Sequence, residues 1–156
     1  MDEHRLISRY ISIIQRLTNP YFDRELQPYH IGGGQQFFLL NISQNQGISF
    51  QELAAEGHYD KATATRAVRK LEEQGYVRME PDPRDKRIRH IYITGKAEPV
   101  IEKTWSVLGN WITILTAGFG EEEKILAEGL LERMAGNAKE YLNYTKEETK
   151  DGTNQS

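Results

Sequence analysis

The segment ATATRAVRK (62–70) carries Thr63, Thr65, Arg66, Arg69 and Lys70, and DPRDKRIRHIYIT (82–94) crowds Arg84, Lys86, Arg87 and Arg89 around Asp82 and Asp85. Guanidinium groups are planar, forked and permanently charged, so they suit carboxylates and phosphates. Threonine hydroxyls and lysines add further contacts of the same kind. The chemistry on offer is recognition of an anion. Catalysis is not: no nucleophile–base pair and no converging carboxylates stand out, so an enzyme is not expected. His4, His30, His58 and His90 are scattered without paired ligand spacing, and the chain has no cysteine. Neither a metal, a thiol-based sensor nor a cofactor is expected.

The distribution of charge sharpens this. The 156 residues carry a net charge of −3, yet His58 to Thr94 holds nine Lys/Arg against six Asp/Glu, leaving −6 for the remainder. A basic module in an acidic body points to one surface that meets a polyanion. The length fits about one domain with a sizeable core. The opening MDEHRL is acidic and leads into an amphipathic stretch, so no secretory signal is expected. No run approaches the roughly 18 apolar residues of a membrane span. A soluble, cytoplasmic protein is the expectation.

The elements that position these cations follow from periodicity. Leu6, Ile7, Tyr10, Ile11, Ile14 and Leu17 recur at helical spacing and predict a helix with one buried stripe, broken at Asn19-Pro20. HIGGGQQFF lacks the Gly-Lys-Ser/Thr of a phosphate loop and reads as a flexible entry to a helix over about 35–44, with Phe37, Phe38 and Leu40 available for the core. In GISFQELAAEG, Ser49 and Glu52 form a capping-box pattern and Gly57 ends a short helix. Asp60 caps a second helix over about 61–74, stopped by Gly75. On that helix Ala64, Ala67, Val68 and Leu71 share one face, while cations occupy the outer face early and carboxylates only late. The helix dipole prefers the reverse order; a helix whose leading end enters the DNA major groove gains from this one.

Beyond Gly75, Val77 and Met79, then Ile91 and Ile93, alternate with polar residues and predict a hairpin turning at the proline-aspartate segment. Helix-turn-helix plus hairpin is a winged helix. Regular structure should resume near Pro99, with Ile101, Trp105, Leu108, Trp111, Ile112 and Leu115 as a buried stripe to about Ala117. A last helix should run from Ile125 to about Tyr144. TKEETKDGTNQS has no apolar anchors and reads as a disordered tail.

The block DKATATRAVRKLEEQGYVRMEPDPRDKRIRHIYIT resembles the MarR family of transcriptional regulators, with its Thr/Arg-containing helix, Leu-Glu-x-x-Gly end, Asp-x-Arg wing (Asp85-Lys86-Arg87) and terminal Ile-Thr. GFGEEEKILAEGLLERMAGNA is similar to that family's last helix. The resemblance implies a mainly α fold with a small β-hairpin wing, a winged helix-turn-helix embedded in a helical dimerisation domain. Residues 1–34 would form the N-terminal dimerisation helix and connector, 35–94 the DNA-binding domain, 95–144 the C-terminal dimerisation helices and 145–156 the tail. The implied partners are a second copy of the chain and double-stranded DNA with a pseudo-palindromic operator.

The matching recognition positions are Thr63, Thr65, Arg66, Arg69 and Lys70, with Lys61 at the leading end and Arg87 reaching the minor groove, held by Asp85. Arg84, Lys86 and Arg89 suit phosphates. Ala62 stands where a hydroxyl residue is frequent, and Pro99 departs from the usual start of the following helix. Leu6, Ile7, Tyr10, Ile14, Leu126, Leu130, Met134 and Tyr141 are the expected dimer interface. The resemblance also implies a small phenolic or aromatic anionic effector, for which Tyr10, Arg16, His30, Phe38 and Trp111 are candidates, and a repressor's role. A winged-helix protein-interaction scaffold is the alternative reading.

Overall fold

The computed structural model describes residues 5–152, with side chains through Asn143. The chain forms two compact units, Met1–Ile112 and Thr113–Ser156. The first contains α1 (Arg5–Glu25), α2 (Gly33–Gln44), β1 (Ile48–Ser49), α3 (Phe50–Glu56), α4 (Lys61–Glu73), β2 (Val77–Pro81), β3 (Arg89–Ile93) and most of α5 (Glu98–Leu115). The second contains the last turn of α5 and α6 (Glu121–Gly152).

Helix α1 does not end at Asn19-Pro20; it passes through the proline to Glu25. A proline inside a helix costs about 3 kcal/mol. The turn beyond it buries Phe22 completely, Leu26 just past the helix is also fully buried, and Tyr21 stacks on Trp111 at 4.6 Å. Burying one such side chain is worth about 1.5–3 kcal/mol, so packing outweighs the local penalty.

The glycines at the start of α2, Gly32 as its cap and Gly33 and Gly34 in its first turn, are not a flexible entry. A Cβ on Gly33 would lie 2.5 Å from the Asn19 Cα, so glycine is what lets α2 pack against α1. Its N–H donates to Asp23 Oδ1 at 2.8 Å, and Gln35 Oε1 accepts from Gly32 N–H. Carboxylate and amide thus already occupy the helix end.

Phe38, Leu39 and Ile42 of α2, Leu53 of α3 and Ala64, Ala67, Val68 and Leu71 of α4 form the centre of the core. Against them lies an antiparallel sheet of order β1-β3-β2. The hairpin register pairs Val77 with Ile93 and Met79 with Ile91, as the alternation requires. β1 was not expected; Ile48 and Ser49 pair with Ile91 and His90. Two residues carry no periodicity, and their partners lie some forty positions on.

The apolar stripe of α1 is not buried as expected, and that of α5 only in part, through Ile101, Leu108 and Trp111, which pack against the core. Leu6, Ile7, Tyr10, Ile11, Ile14 and Leu17 are exposed, as are Trp105, Ile112 and Leu115. α5 instead buries Val100, Thr104 and Val107, a neighbouring face. Pro99 sits in its first turn, where a missing N–H is harmless.

In the second unit Gly118 takes φ +83° and Gly120 N–H donates to Glu123 Oε1 at 3.0 Å, opening α6 on an acidic turn. Ile125, Leu126, Leu130, Leu131, Met134, Tyr141 and Leu142 are 37–69% exposed. The helical backbone continues past Tyr144 to Gly152, into the segment expected to be disordered. The remainder of the expected tail, 153–156, lies outside the described residues. Among the described residues no helix is long and apolar enough to cross a membrane.

Candidate nucleic-acid interface

Local capping sets the helix that carries the cations. Ser49 Oγ accepts from Glu52 N–H at 3.2 Å and starts α3. The turn through His58, at φ 55°, leads to Asp60, whose Oδ1 accepts from Thr63 N–H at 2.7 Å. That bond holds the Asp60 carboxyl below its usual range. At the other end Gly75 takes φ +77° and its N–H reaches Glu72 O, the left-handed stop that glycine adopts without strain.

Between these caps α4 presents two faces. Ala64, Ala67, Val68 and Leu71 are buried, whereas Lys61, Arg66, Arg69 and Lys70 are exposed and Thr63 and Thr65 half-buried. Thr65 Oγ1 donates to Lys61 O at 2.7 Å, which uses its proton and leaves its lone pairs as acceptors. Arg66 Nη2 donates to Thr63 Oγ1 at 3.3 Å, so these two side chains are coupled.

The wing is built around two aspartates. Asp82 Oδ1 accepts from Arg84 N–H (2.8 Å) and Asp85 N–H (3.0 Å), and its Oδ2 lies 2.8 Å from His90 Nε2. These bonds, the histidine's first, lower its carboxyl to about 2. Asp85 in turn grips Arg87 with a fork: Nε to Oδ1 at 3.0 Å and Nη2 to Oδ2 at 2.9 Å. The pair lowers the carboxyl and raises the guanidinium. Arg84 and Lys86 are exposed at the tip. Arg78 lies over the Tyr92 ring at 4.6 Å and pairs with Glu80, which ties it to the hairpin face.

Helix and wing flank one cleft of about 650 Å³, to which α4 contributes Lys61, Thr65 and Arg69 and the wing Arg87 and Arg89. The structure therefore brings together Lys61, Arg69, Arg87 and Arg89, half of the cations singled out from sequence, while Arg66, Lys70, Arg84 and Lys86 lie outside the cleft. It does not gather the five effector candidates in the same way. Phe38 is a core residue, 1% exposed, and Trp111 is stacked on Tyr21 and donates to Thr18 Oγ1. Tyr10, Arg16 and His30 are exposed. A cavity of about 290 Å³ between α2 and α5 is lined by Gln36, Phe37, Leu40, Asn41, Gln44, Trp105 and Leu108, and by none of the five.

Sequence reasoning missed Asp82 and His90. Asp82 had a legible signal, since aspartate before proline commonly bonds the N–H groups two and three residues on. His90 had none.

The MarR family model matches residues 34–88. The uncharacterized HTH-type transcriptional regulator YybA of Bacillus subtilis is 31% identical over 144 residues, 92% of this chain and 96% of that protein. A solved MarR protein from Peptoclostridium difficile superposes with a TM-score of 0.85 at 33% identity, covering 90% of this chain and 91% of its own. A mutant MarR from E. coli, solved in complex with operator DNA, shares the fold with a TM-score of 0.73 at 24% identity over 85% of this chain and 96% of that one.

Proposed function

Since the chain belongs to the MarR family of DNA-binding regulators, which are not enzymes, we propose that it is a homodimeric, sequence-specific transcriptional repressor of a pseudo-palindromic operator. In this reading residues 35–94 bind DNA, while 1–34 and 95–144 dimerise. The leading half of α4 enters the major groove, where Arg66 and Arg69 take guanine edges and Thr63 and Thr65 touch bases or phosphates. Lys61, Lys70, Arg84 and Lys86 contact phosphates, and Arg87 enters the minor groove, whose potential is most negative where it is narrow. A small phenolic or aromatic anion lowers DNA affinity.

The observation that carries this reading is the shared cleft, with α4 cations on one side and the Asp85-oriented Arg87 on the other. A helix and wing that merely solvate a surface need no common concavity and no forked pairing of an arginine that stays 90% exposed.

Selection of bound duplexes from a random pool, followed by titration at several salt concentrations, tests it. A two-fold-related consensus should emerge. Affinity should fall on the order of a thousandfold between about 50 and 200 mM salt, as six or more phosphate contacts require. Absence of any salt-sensitive duplex would return the interaction-scaffold alternative.

A further inference from the structure

We infer that His90 is a positioning residue of the wing: as an imidazolium bridging the wing turn to the loop before β1, it keeps Asp82, Asp85 and Arg87 in register and makes duplex affinity fall as pH rises. The inference rests on the reading of the wing as a DNA contact.

The geometry assigns both protons. His90 Nδ1 lies 2.7 Å from Gly47 O, and Nε2 lies 2.8 Å from Asp82 Oδ2. A peptide carbonyl has no hydrogen to give, so Nδ1 must donate. A neutral ring would then turn a bare lone pair at Nε2 toward the aspartate. That arrangement is repulsive unless Asp82 itself is protonated, and the two peptide N–H groups that its other oxygen accepts favour the ionised carboxylate. Both nitrogens therefore carry hydrogen, the imidazolium form.

The charges around the ring favour that form. Asp82 contributes most, through its hydrogen bond, followed by the Gly47 carbonyl; Glu52 of α3 adds to them. Glu80 stands opposite His90 in the β2–β3 register but is paired with Arg78. Arg87 and Arg89 of the wing, and Lys61, Arg69 and Glu72 of α4, line the same cleft. The balance raises the imidazole above its ordinary value.

The bridge joins segments far apart in sequence. Gly47 lies 43 positions before His90, and its N–H also donates to Ile91 O at 2.8 Å. From Asp82 the order passes through its bond from Asp85 N–H to Asp85, and from Asp85 by the fork to Arg87. Loss of one proton from His90 breaks one end of the bridge. The turn then keeps its peptide N–H bonds and the strand pairing of β3 with β1 and β2 but loses its side-chain tie to the loop before β1, and Arg87 must be ordered at the moment DNA binds.

Two measurements on the 156-residue chain decide the matter. Side-chain ¹⁵N–¹H NMR of the DNA-free protein, with His90 assigned by comparison with His90→Gln, should show both ring nitrogens protonated at neutral pH. Asp82→Asn, which keeps an oxygen for the turn, should move the titration to lower pH. A neutral His90 at pH 7 overturns the inference whatever the DNA does.

Duplex affinity, measured on the tightest sequence recovered from a random pool at fixed salt, should fall about tenfold from pH 6 to pH 9, the worth of roughly one groove contact. His90→Gln should flatten the dependence to about twofold or less while binding the same consensus. Equal pH profiles for wild type and His90→Gln overturn this inference and leave the proposed function standing. Failure of any duplex to bind at any pH overturns both.

Discussion

Asp85 and Arg87 meet through two bonds of 3.0 and 2.9 Å, and yet the arginine side chain is 90% exposed while the aspartate is 34% exposed. An ion pair in water holds little energy, so this one is better understood as aiming than as stabilising. Arg87→Ala should weaken operator affinity on the order of ten- to hundredfold, the worth of a groove contact, with no change in thermal midpoint. Arg87→Lys should recover little of it, because a point charge cannot make the fork. Fluorescence anisotropy on the selected duplex, beside a melting curve, separates the two effects. Wild-type affinity for Arg87→Ala at moderate salt would remove the wing from the interface.

The coupling of Asp82 and His90 gives stability a defined pH window. His90 is raised, so its contribution is complete below the ordinary histidine value of 6.5 and lost as pH climbs through the raised one. Asp82 is lowered to about 2, so its contribution is complete above 3.8 and lost as pH falls toward 2. The two overlap between those ordinary values. Urea unfolding of wild type, His90→Gln, Asp82→Asn and the double variant should show a favourable coupling at about pH 5 that vanishes by about pH 9. A coupling that persists unchanged at high pH would contradict the charge assignment.

Adjacent glycines at the start of α2 should respond oppositely to alanine. At Gly34 an added Cβ meets nothing within 4 Å, so Gly34→Ala should stabilise the chain by about 0.4–1 kcal/mol through the unfolded state. At Gly33 it would sit 2.5 Å from backbone of α1, so Gly33→Ala should destabilise by about 1–3 kcal/mol. Chemical denaturation of the two variants reads the contrast directly. Equal effects would mean that α1 and α2 are not in close contact at Gly33 and Asn19.

What was legible in sequence was local. Asp60, Gly75 and the faces of α4 follow from capping and a 3.6-residue period, and Val77 to Ile93 follows from alternation about a proline turn. Each is decided by neighbours within a few positions. β1 and the bond from His90 to Gly47 are decided by residues some forty positions away, and no period reports them. Pro20 misled for the opposite reason: the local signal was real, but Phe22 and Leu26 beyond it are buried strongly enough to overrule it. On α5, periodicity found an apolar face without revealing what covers it. The chain's own core takes Val100, Thr104 and Val107 and leaves Trp105 and Ile112 in contact with water.

That exposure argues for a second copy. On α1, Leu6, Ile7, Tyr10 and Ile14 are 41–56% exposed, and on α6, Leu126, Leu130, Met134 and Tyr141 are 37–69% exposed. An exposed apolar stripe of this kind, on either helix, is a hallmark of an association site rather than of a solvated helix. Placing a charge within it should prevent burial at a cost of several kcal/mol, whereas the single chain's core, which uses neither stripe, should be indifferent. Ile14→Glu combined with Leu130→Glu should therefore convert a dimer to a monomer in sedimentation equilibrium while the far-ultraviolet dichroism stays helical. Affinity for a full two-fold operator should fall far more than affinity for a half-site, because linking two half-site contacts multiplies their effect. A dimer that survives both substitutions would place the interface elsewhere, and equal losses on full and half operators would mean that each winged helix binds alone.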